Sequence, residues 1–151
     1  MAKPKLSPQQ QAQVLAQRIQ AQVVRAAGKG LMAAAIFLAA RVKETMSEPA
    51  PRKRTPGGGY RATTRATPGA PIRKLSGRAR GSVFRRQISD TQVAVGTNAK
   101  SDKGFNYPKY HERPMRGQSG SGKHRFIAPT VRQYRAELAR IIGRVTTVEM
   151  R

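Results

Sequence analysis

Residues 7–46 read SPQQQAQVLAQRIQAQVVRAAGKGLMAAAIFLAARVKETM, and everything downstream has to pack around what this stretch forms. Ser7-Pro8 is a helix start, with Ser as N-cap and Pro in the first turn, where its missing N–H costs nothing. Leu15, Ile19, Val23, Ala27, Leu31, Ala34, Ala35, Leu38 and Val42 then recur at spacings of three and four, one continuous apolar stripe of an α-helix. Gly28 and Gly30 interrupt the pattern. Each costs about 1 kcal/mol against Ala inside a helix, so the pair implies a division into two helices, a bend or a close packing contact. The many alanines on the stripe let a sheet or a second helix come near.

Beyond Met46 the composition changes abruptly. Pro49, Pro51, Pro56, Gly57, Gly58, Gly59, Pro68 and Gly69 sit among basic residues and threonines, a low-complexity arm that cannot bury enough apolar area to fold alone. From Pro49 to Ser89 there is no acid, while Arg52, Lys53, Arg54, Arg61, Arg65, Arg73, Lys74, Arg78, Arg80, Arg85 and Arg86 are basic. Two short strands follow, Ser82 to Ile88 and Thr91 to Thr97, with a turn at Ser89-Asp90. Tyr107 to Glu112 is a third extended element, because Pro108 discourages a helix. Arg113 to Lys123 is a Gly/Ser-rich loop, and Arg125 to Ala128 a last strand. Pro129 then begins a helix to about Ile142, with Val131, Tyr134, Leu138, Ile141 and Ile142 as its buried stripe. The expected organisation is a helical segment over 1–46, an arm over 47–70, the sheet and C-terminal helix of the same single domain over 71–145, and a tail over 146–151. The fold class is α+β, a long N-terminal helix and a C-terminal helix packed on a small antiparallel β-sheet, with a long basic Pro/Gly-rich arm.

Composition sets the class of partner. The chain has 151 residues, and 30 Lys and Arg against 7 Asp and Glu leave a formal charge of +23. A compact body so charged repels itself and calls for an acidic partner, whether nucleic acid, an anionic membrane or an acidic protein surface. There is no Cys, so thiol catalysis, disulfide frameworks and cysteine-based metal sites are excluded. The start, Met1-Ala2-Lys3-Pro4-Lys5, is followed by Gln-rich sequence and not by an apolar run, so no secretory signal is expected. The longest nearly apolar run, Leu31 to Ala40, is too short to span a bilayer. These features place the chain in a cytoplasm, away from a membrane.

Three patterns invite a chemical reading and fail it. Gly117 to Lys123 has the G-x-x-x-x-G-K spacing of a phosphate-binding loop, but His124 stands where a magnesium-binding Ser or Thr belongs, and no buried strand precedes it. His111, His124 and Glu112 share no H-x-x-H or H-E-x-x-H spacing, so no metal site is expected. The acids Glu44, Glu48, Asp90, Asp102, Glu112, Glu137 and Glu149 are scattered singly, without a pair for acid–base work. No cofactor and no catalytic residue is assigned, and the chain reads as a non-enzyme. Tyr60, Phe105, Tyr107 and Tyr110 lie among cations, a pattern compatible with base stacking but outside any recognisable RNA-binding motif.

Three segments of the second half resemble one family. Ala70-Pro71 with Leu75-Ser76-Gly77-Arg78-Ala79-Arg80-Gly81-Ser82-Val83 is similar to the A-P-x-x-T-G-x-L-R-x-S-I segment of the tail-completion and head–tail joining (neck) proteins of tailed bacteriophages. Val95-Gly96-Thr97 and then Tyr110-His111-Glu112 resemble that family's V-G-T followed by Y-V-E-F-G-T. His124-Arg125-Phe126-Ile127-Ala128-Pro129-Thr130 resembles its P-F-L-x-P-A before a last helix. Departures are Ala79 where Leu is usual, Arg113-Pro114 in place of Phe-Gly, and a longer, more basic arm. The resemblance implies a structural virion protein, assembled in the host cytoplasm, that forms a ring of six or twelve copies at the head–tail junction or top of the tail around the DNA channel. It implies neighbouring portal, neck or tail-tube proteins and non-specific contact with packaged DNA. Gly77, Ser82, Gly96, Tyr110, Glu112, Phe126 and Pro129 are then structural motif residues. From its basic surroundings in the sequence, Glu112 is expected either to pair with an Arg or to stand exposed at the surface. Arg52, Lys53, Arg54, Arg61, Arg65, Arg73 and Lys74 of the basic span are expected to contact a partner or DNA phosphate. The alternative is a stand-alone basic nucleic-acid-binding protein using the same cations.

Overall fold

The structure is a computed structural model that describes residues 7–46, 52–54, 56–58, 60–62, 80–100 and 126–151. In chain order its elements are α1 (Pro8–Thr45), β1 (Arg52–Arg54), β2 (Tyr60–Ala62), β3 (Val83–Ser89), β4 (Gln92–Thr97), α2 (Ile127–Gln133) and α3 (Arg135–Glu149). The fold is α+β, as the sequence leads one to expect: a long N-terminal helix, a C-terminal helical region and small antiparallel sheet.

α1 is one unbroken helix of 38 residues, about 57 Å long at 1.5 Å per residue. Its start is a full capping box. The Ser7 hydroxyl accepts from the Gln10 N–H at 3.3 Å, and the Gln10 side-chain oxygen accepts from the Ser7 N–H at 2.9 Å. Gly28 and Gly30 do not divide it; both are buried at packing contacts. Over an 18-residue window α1 is long and apolar enough to cross a membrane by length and composition. The ten-residue run considered in the sequence understates it, because Val23, Val24, Ala26 and Ala27 upstream extend the apolar stretch. That window is 39% buried, its small-residue face being covered by other parts of this chain.

β3 and β4 form a hairpin with Val83 opposite Thr97, Phe84 opposite Gly96 and Arg85 opposite Val95. The register shifts between Gln87 and Ser89, leaving Ile88 as an extra residue in β3. The turn is Asp90-Thr91, one residue beyond the expected Ser89-Asp90, and the Ser89 hydroxyl accepts from the Thr91 N–H at 3.3 Å. The hairpin lies along α1. At one end Val83 joins Val42 and Met46 in the core, and at the other the Asp90 carbonyl meets Gly28. Geometry explains the match. Seven strand residues span about 23 Å at 3.3 Å each, and the 14 to 18 helical residues from Gly28 to Val42 and Met46 span about 21 to 27 Å.

α3 runs antiparallel to α1 on another part of its surface. Tyr134 faces Phe37, Ile142 and Thr146 face Gly30, and Glu149 pairs with Lys29. The core is Leu38, Ala39, Val42, Met46, Val83, Ala99 and Phe126, with Val95, Ile127 and Leu138 packed against it. α1 is therefore the hub on which the hairpin and α3 both lie.

Three expectations need correction. The proposed strand from Arg125 to Ala128 does not form over its described residues: Phe126 is a bend and Ile127 and Ala128 are helical. Phe126 has no exposed surface, and turning the chain into a helix there buries its ring while the Thr130 hydroxyl donates to the Phe126 carbonyl at 2.6 Å. The terminal helix does not stop near Ile142. It breaks at Tyr134 (φ −102°, ψ 15°) and runs on to Glu149, because Thr146 and Glu149 still meet Gly30 and Lys29 of α1. That break takes Val131 out of the buried stripe, and it is exposed. Finally, the N-terminal part of the α1 stripe is bare: Leu15 is 59% exposed, Ile19 50% and Val23 38%, whereas Ala34, Ala35, Leu38 and Val42 are buried. The amphipathic pattern is continuous, but the described partners are shorter than the helix and reach only its second half.

Candidate assembly and nucleic-acid interface

The body is clamped at one turn of α1. A Cβ at Gly28 would stand 2.7 Å from the Asp90 carbonyl oxygen, and one at Gly30 would stand 2.8 Å from the Ile142 carbonyl oxygen and 3.0 Å from the Thr146 hydroxyl. Both distances are below any normal carbon contact, so only glycine lets the hairpin turn and α3 close on the helix. The Thr146 hydroxyl is buried beside Gly30 and has no hydrogen-bond partner among the described residues. The sequence flagged these glycines, but it could not say what they meet.

A second fastening holds α1 to the start of α3. The Arg41 guanidinium lies 5.0 Å from the Phe37 ring centre and 5.3 Å from that of Tyr134, and the two rings meet edge to face at 5.6 Å and 79°. A cation against two rings contributes beyond the burial of the rings themselves. Arg41 also donates to Glu44 at 2.6 Å. That hydrogen bond, with the Glu44 charge, raises the Arg41 pKa above its usual value. Phe37 and Arg41 stand four apart, the spacing that would have suggested a contact on one helix face; Tyr134 had no such signal.

Among the motif residues, Ser82 and Thr97 bring their hydroxyls together at 2.7 Å across the open end of the hairpin. Gly96 lies under the Phe84 ring, whose nearest atom would be 3.0 Å from a Cβ. Phe126 is the anchor of the core, and Pro129 is exposed in the first turn of α2. Gly77, Tyr110, Glu112, Arg65, Arg73 and Lys74 lie outside the described residues, as do the Gly117–Lys123 loop, both histidines and the expected element at Tyr107 to Glu112. Among the described residues no three His, Cys, Asp or Glu side chains gather as a metal site.

Arg52, Lys53, Arg54 and Arg61 are brought together. Within the arm, β1 and β2 pair as an antiparallel ribbon in which Arg52 stands opposite Ala62, Lys53 opposite Arg61, and Arg54 opposite Tyr60. The ribbon was missed in the sequence because three-residue strands are below the length at which alternation can be recognised. Two short runs of basic and β-compatible residues either side of Pro56-Gly57-Gly58-Gly59 were the available signal.

Two surfaces thus stand out. One is apolar, the bare stripe Leu15, Ile19 and Val23, with Val148 and Met150 exposed at the end of α3. The other is cationic, the ribbon. No protein-family model matches the chain, and no curated protein or solved structure does either.

Proposed function

We propose that this chain is a structural virion protein of a tailed phage, one subunit of a ring at the head–tail junction or the top of the tail around the DNA channel. The observation that carries the reading is the half-covered stripe of α1. Upstream of the clamp it continues with the same spacing, yet Leu15 and Ile19 keep half or more of their surface exposed. A helix stripe that is core in one half and bare in the other fits a subunit whose burial is completed by neighbours. The segment is also suited to close approach between copies. In a chain of +23, residues 8–24 carry a single charge, Arg18, so neighbours can meet there with little repulsion. The resemblance of three second-half segments to neck and tail-completion proteins supplies the place in the particle. In this reading the chemistry is association, with six or twelve copies contacting portal, neck or tail-tube proteins.

The test is native mass measurement and electron microscopy of the purified chain, alone and mixed with portal and tail-tube proteins. Closed rings of six or twelve copies are expected. Monomers alone in every mixture would overturn the proposal.

A further inference from the structure

We infer that the β1–β2 ribbon is a contact for duplex DNA, docking its basic positions on the phosphates that border a groove. The inference stands on the ribbon itself and holds whether or not the chain forms a ring.

The ribbon's register concentrates charge. Of its six paired positions four are basic and none is acidic. Lys53 directly faces Arg61, which puts two like charges on neighbouring positions about 5 Å apart at Cβ, an arrangement that destabilises a bare antiparallel pair. Arg52 and Arg54 fall on one face of β1, about 7 Å apart along the strand. A two-stranded ribbon of three-residue strands is marginal in water even without repulsion. The sequence from Pro49 to Ser89 holds no acid. The conformation therefore calls for a dense anion. Duplex DNA supplies one negative charge per about 1.7 Å of axis, far denser than the scattered carboxylates of an ordinary acidic protein face.

Shape agrees with charge. The major groove, about 12 Å wide, admits a two-stranded β-ribbon. The loop at the ribbon's tip is exposed at Pro56, Gly57 and Gly58, and Gly58 takes a left-handed φ of 82° that glycine adopts without strain. A Cβ at either glycine would meet nothing within 4 Å. The tip is thus slim and open, and its backbone can approach a surface closely. With its basic positions on the phosphates, the expected contact is positioning and independent of sequence.

The experiment is fluorescence-anisotropy titration of the full chain with a labelled duplex of about 25 base pairs across a salt series. A variant carrying Arg52→Gln, Lys53→Gln, Arg54→Gln and Arg61→Gln is compared with a charge-matched control carrying Arg18→Gln, Arg25→Gln, Arg132→Gln and Arg144→Gln. Each phosphate contact contributes about 0.9 to the slope of log K against log salt. The ribbon variant should lose about 3 to 4 units of slope and 30-fold or more in affinity near physiological salt. The control should lose less than about fivefold. Equal losses in the two variants, or none in the ribbon variant, would overturn the inference. Polyglutamate at equal total charge should compete at least tenfold worse than unlabelled duplex; equal competition would assign the ribbon to an acidic protein instead. Because the helices report folding by circular dichroism, each variant's spectrum separates lost binding from lost structure. The milder Lys53→Gln, Arg61→Gln pair, expected to lose about half the slope change, keeps the test decisive if the fourfold variant unfolds.

Discussion

At the scale of single residues, three helical glycines separate two roles that composition alone cannot. Gly28 and Gly30 meet backbone atoms of the hairpin turn and α3, whereas Gly143 in α3 is exposed and a Cβ there would touch nothing within 4 Å. Helix propensity favours Ala at all three by about 1 kcal/mol. At Gly143 that gain is unopposed, so Gly143→Ala should raise Tm by a few degrees. At Gly28 and Gly30 overpacking of about 1–3 kcal/mol outweighs it, so Gly28→Ala and Gly30→Ala should each lower Tm by several degrees. Thermal melts followed by circular dichroism would decide both signs. Beside Gly30, the partnerless Thr146 hydroxyl carries a desolvation cost with no return. Thr146→Val keeps the shape and removes that hydroxyl, and should stabilise the fold by about 1 kcal/mol in chemical denaturation. Two glycines inside an apolar helical pattern already pointed to close packing. Their partners lie 62 and about 112 to 116 positions away in the chain, a relation that no local spacing encodes.

At the scale of elements, length decides which surfaces are covered. α1 has 38 residues and α3 has 15, so an antiparallel α3 that starts beside Phe37 ends beside Lys29 and leaves the N-terminal turns of α1 bare. Replacing Leu15, Ile19 and Val23 together by Gln should therefore move the Tm of the isolated chain by no more than about 3 to 6 °C, since exposed substitutions change stability by no more than about 0.5 kcal/mol each and 1 kcal/mol shifts Tm by about 2 to 4 °C at this size. In the ring reading the same triple variant should fail to assemble, measured by native mass with its partners present. A large fall in the monomer's Tm would mean that the stripe is already buried in the free chain. The long helix and the hairpin were legible because their periods of three to four and of two persist for many residues. The register was not, because Ile88 is inserted without a sequence mark. Helix α2 was misread as a strand at its start because Phe126-Ile127 is β-prone, while the Thr130-to-Phe126 hydrogen bond and complete burial of the Phe126 ring favour the turn into a helix. Of the candidate sites, the basic positions were legible from charge alone, but their pairing as a ribbon depended on cross-strand register.

At the scale of the whole molecule, the charge of +23 opposes compaction, and the described ion pairs offset little of it. Lys29 with Glu149, Arg41 with Glu44 and Arg140 with Glu137 are all surface pairs, of a kind worth about 0 to 1 kcal/mol each. Screening should therefore stabilise this protein, the reverse of what salt does to a fold held by ion pairs. Between 10 mM and 500 mM sodium chloride the Tm should rise by several degrees, read by scanning calorimetry. A fall would mean that the surface pairs outweigh the repulsion. The clamp at Gly28 and Gly30 has a mechanical consequence at this scale. Both the hairpin and α3 are fastened within one turn of α1, and from there to Pro8 about 30 Å of helix project as a stiff rod. A pull on its N-terminal end acts on the clamp with the full length of that rod as its lever, so a tilt of about 5° where the glycines sit sweeps Pro8 through roughly 2.6 Å.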